Sequence, residues 1–302
     1  MIIGIPRALA YYRYGTLWES FLQELDTPYI TSGETTRHTL EVGAKCTVDE
    51  SCLPLKLYMG HVSALLGRCD RVLVPELRHM GRREEFCVRF WGLYDTVQAT
   101  FEHAQLLTYA RNSRHPAIQE AAFLRLGRTL GKGRIASSRA YRRAVERQRA
   151  AELRCLFRGR ASLHTPRPKI LLAGNPYVTK DPLLGGAVAR LLKNLGAVPL
   201  YPDAWDREAC KKQATQLSKD LYWTFQRETI GAIRFAEGQV DGVILLTAFP
   251  CGSDCLANEL VLRRLNGRPL IQIILDEHQG GEGLRTRVES FLDMVAGRRV
   301  HG

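Results

Sequence analysis

The chain has 302 residues, 45% of them hydrophobic and 25% charged, with a formal net charge of +12. That length supports two domains with cores of their own, and the composition excludes wholesale disorder. No apolar run approaches the roughly 18–20 residues a membrane-crossing helix needs.

In chain order, MIIGIP reads as a strand that Pro6 cuts short, and Leu17, Trp18, Phe21, Leu22 and Leu25 form a helical stripe. PYITS is a second short strand, TTRHTLEVGAK a helix ending near Gly43, and a further helix opens after Cys52 with Leu55, Tyr58, Val62 and Leu65 on one face. RVLVPEL, rich in β-branched residues, is the next strand. The order βαβααβ points to a parallel, doubly wound sheet.

From Arg111 to Lys169 the chain holds 16 Lys/Arg against 3 Asp/Glu, a net of +13, while the remaining 27 and 28 nearly cancel. The charge is therefore a local feature. Within this stretch Ile118, Ala122, Leu126 and Leu130 mark one amphipathic helix, and a second is expected to begin at Ser137 or Ser138 and stop near Gly159. The segment reads either as a solvated helical hairpin or as a surface for phosphates. No helix-turn-helix, zinc-finger or RNA-binding signature supports specific nucleic-acid binding.

KILLAGNP then opens a second α/β grammar. A helix carries Leu184, Val188, Leu191, Leu192 and Leu195, AVPLYPD is a strand, and Trp223 to Glu237 is a helix. VDGVILLTAF is a long strand, CGSDCLANELVLRRL a helix and PLIQIILD a strand, before a final helix striped by Leu284, Val288, Phe291, Leu292 and Val295. The expected fold is α/β, with two Rossmann-like, doubly wound parallel-sheet domains. They occupy residues 1–110 and 167–302 and are joined by the basic helical segment 111–166.

In such sheets ligands bind outside the carboxyl ends of the strands. Cys251 and Cys255 follow VILLTAF, Asp276, Glu277 and His278 follow IQIIL, and Asn175, Tyr177 and Asp181 follow KILLAG. Glu50 lies between Cys46 and Cys52, and Cys87 follows RVLVPEL by a short loop. A thiolate at Cys52 or Cys251 would face the positive end of a helix, which favours a lowered thiol pKa. Spacing alone leaves metal ligation and buried thiols both open: the Cys-x5-Cys and Cys-x3-Cys pairs match neither zinc ribbons nor bacterial ferredoxins. Cys69, Cys155 and Cys210 read as incidental thiols, and His61 as a core histidine. No Gly-x-Gly-x-x-Gly, Walker or Gly-x-Ser-x-Gly motif occurs at a suitable place. The N-terminus lacks a secretory-signal pattern, so the expected compartment is the cytoplasm, where thiols stay reduced.

With these residues in view, the sequence resembles the acyl-CoA dehydratase activase-related proteins, relatives of 2-hydroxyacyl-CoA dehydratase subunits. The likeness runs through GIPRALAYYRYGTLW, DESCLPLKLYMGHV, FCVRFWGLYD, AGNPYVTKD, KDLYWTF, VDGVILLTAFPCGSDCLANE and DEHQGGEGLRTRVESFLDM. It implies two Rossmann-like domains facing a cleft, with cysteines from both holding an iron–sulfur cluster, taken as [4Fe-4S]. The matching positions are Cys52, Cys87 and Cys251, with Cys46, or alternatively Cys255, as fourth ligand.

Related dehydratases hold an acyl-CoA and pass one electron to its thioester carbonyl, with loss of the 2-hydroxyl group. An ATP-dependent activase supplies that electron. The resemblance therefore implies such a partner, an acyl-CoA substrate and a homo- or hetero-oligomer, without a membrane. By their expected positions alone, Glu50, Asp276, Glu277 and His278 are acid–base candidates. The alternatives are a non-catalytic cluster-binding accessory protein, or a phosphate- or nucleic-acid-binding protein acting through the basic segment. Three positions depart from the family pattern. Cys251-Gly252-Ser253-Asp254-Cys255 stands for Cys-Gly-Pro-Asp-Ser, Cys87-Val88-Arg89 for Cys-Pro-Lys, and DEHQGGEG for DEHxGEAG, which moves the acid to Glu282.

Overall fold

The structure is a computed structural model. It describes all residues except 82–83, 112, 114, 265–267, 279–280 and 302, with side chains further excepted at 80–81 and 298–301. Backbone contacts divide the chain into two compact units, Met1–Ala151 with Tyr222–Thr224, and Glu152–Leu221 with Phe225–Gly302.

The first unit opens with β1 (Ile3–Ile5), α1 (Tyr11–Glu24), β2 (Tyr29–Thr31), α2 (Arg37–Lys45), α3 (Leu53–Ser63) and β3 (Arg71–Leu73). This is the βαβααβ order read from the sequence. Next come β4 (Glu76–Leu77), β5 (His79–Gly81), β6 (Glu84–Glu85), α4 (Val88–Trp91), α5 (Leu93–Thr100), β7 (Leu106–Leu107), β8 (Ala110–Arg111) and α6 (Pro116–Thr129). The main sheet is all parallel, in the order β2-β1-β3-β7. RVLVPEL is not one continuous strand. Pro75, which has no N–H to donate, falls between β3 and β4, although Val74 N and Glu76 N still donate to Leu107 O (2.8 Å) and Tyr109 O (3.0 Å).

Helices α2 and α3 form an antiparallel hairpin with their backbones in contact. A Cβ at Gly43 would lie 1.8 Å from the Lys56 carbonyl oxygen, and one at Gly60 would lie 2.0 Å from that of Thr39. Thr36 caps α2 by accepting from Thr39 N (3.2 Å), and the helix runs two residues past Gly43 to Lys45. His61 is fully buried, its ring nitrogens bonded to Ser32 Oγ (2.8 Å) and Thr35 Oγ1 (2.9 Å) just beyond β2. Burial and the Arg7 charge push its pKa down to about 4, so it is a neutral core histidine, as read from the sequence.

The basic segment docks through an aromatic cluster. Phe123 of α6 meets Phe21 at 4.9 Å between ring centroids, and Tyr109 and Tyr141 at 4.8 Å each. Its second helix, α7 (Arg134–Ser162), starts three residues earlier than the sequence reading and runs past Gly159. Gln148 fastens it to α1, accepting from Leu17 N (3.1 Å) and donating to Arg13 O (2.8 Å). Arg143 and Arg147 close on Glu24 at 2.8 and 2.5 Å. The helix crosses the boundary between the units, so residues 111–151 belong with the first and 152–166 with the second. Asn112 and Arg114 lie outside the described residues.

The second unit contains β9 (Lys169–Ala173), α8 (Pro176–Thr179), α9 (Gly185–Asn194), β10 (Val198–Leu200), α10 (Arg207–Leu217), α11 (Thr224–Phe235), β11 (Gly242–Ala248), α12 (Gly252–Arg264), β12 (Leu270–Leu275) and α13 (Gly281–His301). Its parallel sheet has the order β10-β9-β11-β12. In both units, then, the strands lie second–first–third–last, and the order reverses beside the first strand. All seven residues of β11 are buried, which explains why this strand reads as a continuous apolar run. Helix α10 has a weak apolar pattern and begins at Asp206, whose Oδ1 accepts from Ala209 N (2.8 Å); the sequence reading missed it. Among the described residues no helix is long and apolar enough to cross a membrane.

Candidate functional site

In the first unit Cys46, Cys52 and Cys87 stand at helix ends. Cys46 ends α2 and Cys52 is the residue before α3, with backbone angles of −64° and 144° and Pro54 in the first turn. Cys52 precedes His61 by nine residues, roughly 13 Å along the helix axis. His61 is anchored at the carboxyl end of β2, so the Cys46–Cys52 loop is the tip of a hairpin reaching well beyond the sheet edge. Glu50 is exposed on this tip. Cys87 stands before α4 with angles of −64° and 156°, and the preceding Phe86 N donates to Arg78 O (3.0 Å). Glu85 N donates to Tyr222 O (2.9 Å), which ties the YWT triplet to this loop although it comes far later in the sequence.

In the second unit the carboxyl ends of β9 and β11 flank the point where strand order reverses, and three distant stretches meet there on one carboxylate. Asp254, in the first turn of α12, is 4% exposed. Asn175, from the loop after β9, donates from Nδ2 to both Asp254 oxygens (2.9 and 3.1 Å) and to Tyr177 OH (2.7 Å). Gln226 of α11 donates to Asp254 Oδ1 (2.8 Å) and to Ser253 Oγ (3.0 Å). Burial raises the Asp254 pKa to about 6, against the lowering effect of hydrogen bonds from Gln226, Cys251 and Asn175. The Asn175 Oδ1 is buried without a partner. Turning the amide over would set that oxygen against the carboxylate, so the orientation is fixed by charge.

Cys251 lies beside this group, 3.5 Å from Ser253 Oγ. Here the sequence expectation is corrected: its thiol is pushed up, first by burial and then by the Asp254 charge. Both effects outweigh the start of α12, because a helix terminus gives a modest, screened stabilisation whereas burial beside a carboxylate penalises a second anion directly.

The remaining candidates are placed as follows. Asp181 Oδ1 accepts from Leu183 N (2.9 Å) and Leu184 N (3.1 Å), a turn-forming role. Asp276, Glu277 and His278 do follow β12, but Asp276 and His278 are exposed. Asp276 accepts from His278 N (2.8 Å), and Glu277 lies 3.6 Å from His278 Nε2. Gln279 and Gly280 of DEHQGGEG lie outside the described residues. Cys255 is exposed and Cys210 buried, and none of the eight cysteines forms a disulfide. Among the described residues no three His, Cys, Asp or Glu side chains gather as a metal-holding group.

The sequence matches the CoA enzyme activase uncharacterised domain (DUF2229) over residues 2–204. The chain belongs to this family. The matched residues take in the whole hairpin tip, Cys87 and Asn175, while Gln226, Cys251 and Asp254 lie beyond them. No curated protein matches the chain. Among solved structures, an ABC transporter periplasmic solute-binding protein from Actinobacillus succinogenes 130z with bound D-allose is 12% identical. It covers 98% of this chain and 91% of its own, with a TM-score of 0.22, which carries no inference about fold or ligand.

Nothing in the sequence marks Gln226 and Asp254 as parts of the candidate site. Asp254 resembles an ordinary first-turn acid, which is usually exposed. Only the fold shows that Asn175 and Gln226 close over it.

Proposed function

We propose that this CoA enzyme activase-related chain binds an iron–sulfur cluster, taken as [4Fe-4S]. Cys52, Cys87 and Cys251 are assigned as ligands and Cys46 or Cys255 as the fourth. The resemblance of the cysteine-bearing motifs to dehydratase relatives carries the reading, and membership of the activase-related family agrees with it. Partly exposed sulfur donors held outside any disulfide support it, because soft thiolates suit iron–sulfur ligation. When bound, the cluster supplies one-electron transfer at low potential. The chain's own residues fix where the thiols stand: the α2–α3 crossing sets the Cys52 loop, and the Asp254 network sets Cys251.

The electron acceptor is assigned as an acyl-CoA or a similar thioester, and the donor as a separate ATP-dependent activase in a homo- or hetero-oligomer. The compartment is assigned as the cytoplasm. Glu50, Asp276, Glu277 and His278 are assigned to proton transfer. The second reading, a non-catalytic electron carrier, shares the cluster and dispenses with the substrate.

Anaerobic purification or reconstitution tests both. Iron and acid-labile sulfide should appear in comparable amounts, and Cys52→Ala, Cys87→Ala and Cys251→Ala should each lose iron while Cys210→Ala keeps it. A preparation that stays colourless after reconstitution sinks the proposal, and equal iron in all four variants sinks the ligand assignment.

A further inference from the structure

Cys251 is the least accessible of the three assigned thiols to explain from sequence, because nothing in FPCGSDC fixes its direction. The fold supplies the missing constraint. Asp254 follows Cys251 by three residues in the first turn of α12 and cannot move without moving the turn, and Cys255 N closes that turn on Cys251 O (3.0 Å). The Asp254 carboxylate is held by the amide nitrogens of two side chains from other elements, Asn175 at 2.9 and 3.1 Å and Gln226 at 2.8 Å. All three are nearly buried, at 1% for Asn175, 6% for Gln226 and 4% for Asp254. A buried carboxylate short of a donor loses the full cost of its desolvation, so this arrangement has one favourable geometry. Gln226 Nε2 also holds Ser253 Oγ (3.0 Å), and Ser253 lies 3.5 Å from the thiol. Two successive residues of that first turn are thus clamped from outside it.

We infer that Asn175 and Gln226 are positioning residues for Cys251, fixing the direction of its thiol by clamping Asp254 and Ser253 at the start of α12. The meaning of that role rests on Cys251 being a cluster ligand, but the clamping itself does not. Neither residue touches the sulfur in this reading. They act through the turn, as outer-shell groups orient metal ligands elsewhere.

The test uses the full chain in its metal-free, reduced form, with iodoacetamide as probe and mass spectrometry reading each cysteine separately. Cys210, fully buried in α10, reports global opening in the same sample. Gln226→Ala removes one clamp and leaves both Asn175 contacts, so it is the variant expected to stay folded. In it Cys251 should be alkylated about tenfold faster than in the wild type, in line with a buried group left short of one donor, while Cys210 is unchanged. Asn175→Asp replaces the donor by an acceptor facing Asp254 and should have a larger effect. Asn175→Asp/Asp254→Asn restores an amide–carboxylate pair in the opposite sense and should slow the reaction again.

Unchanged Cys251 reactivity in both single variants overturns the inference. So does equal acceleration of Cys210 and Cys251 in Gln226→Ala, which would mean general loosening. A separate arm measures iron loss to a chelator after anaerobic loading, where Gln226→Ala should release iron faster than the wild type. If the wild type takes up no iron, the cluster assignment fails, while the alkylation result still decides whether the clamp exists.

Discussion

The α2–α3 hairpin makes a prediction whose sign depends on the crossing. Replacing Gly60 by Ala, taken alone, should stabilise a helix by about 1 kcal/mol, since alanine loses less backbone freedom on folding. Here the added Cβ would sit 2.0 Å from the Thr39 carbonyl oxygen, and at Gly43 it would sit 1.8 Å from that of Lys56. Both neighbours are backbone, so no side chain can swing away and the helices must part by more than an ångström. Overpacking of this kind costs about 1–3 kcal/mol, and the absence of a yielding side chain argues for the upper end. After the helical gain is subtracted, a net loss of about 2 kcal/mol remains, or roughly 4–8 °C in Tm for a unit of this size. Gly297 in α13 is the control: nothing lies within 4 Å of its Cβ position, so Gly297→Ala should be neutral or stabilising. Differential scanning calorimetry on Gly43→Ala, Gly60→Ala and Gly297→Ala reads all three. Unchanged or raised transition temperatures for Gly43→Ala and Gly60→Ala would refute the close crossing and, with it, the placement of the Cys46–Cys52 tip.

His61 gives a pH dependence. Its folded pKa of about 4 lies below its unfolded value of 6.5, so stability is fully present above pH 6.5 and declines as pH falls towards 4, by about 3 kcal/mol in all; urea titrations at pH 7 and pH 4.5, compared with His61→Gln, would expose this slope, and an identical slope in the variant would count against it. Phe123→Ala removes the ring shared by Phe21, Tyr109 and Tyr141 and should cost about 3–5 kcal/mol, with faster amide exchange in α6. Cys255, being exposed, should react with a thiol reagent well before Cys210, whose pKa is pushed up to about 12 by burial; comparable rates would contradict the packing of α10.

Legibility in the sequence followed periodicity. The βαβααβ order of the first unit and the β11–α12–β12 run of the second were readable because apolar runs and stripes coincide with elements. Pro75 was visible as a residue but not as the break it makes, because Val74 and Glu76 keep their ladder partners across it. The α7 boundaries failed for a different reason. Serine is a common start signal, yet Ser137 is buried and its Oγ donates to Gly133 O (2.9 Å), which makes it part of the helix body. The upward direction of the Cys251 thiol pKa is not legible in the sequence, because helix position is local information whereas burial beside Asp254 is not.

The two units share one strand order, and in each a residue after the first strand bonds a residue beyond the carboxyl end of a neighbouring strand. In the first, Arg7 follows the first strand, its backbone N donating to Ser32 Oγ (2.9 Å) beyond the second. In the second, Asn175 follows the first strand and reaches Asp254 beyond the third. Stretches that are far apart in sequence therefore become neighbours because a parallel sheet delivers every strand's carboxyl end to one edge. That is why spacing within KCTVDESCLPLK or FPCGSDC does not decide its chemistry: the contacts that place each stretch, Gly43 of α2 against Lys56 O and Gln226 of α11 against Asp254, reach it from residues outside it. A site built this way should lose stability to a methyl group at Gly43 and the fixed direction of its Cys251 thiol to a lost amide at Gln226.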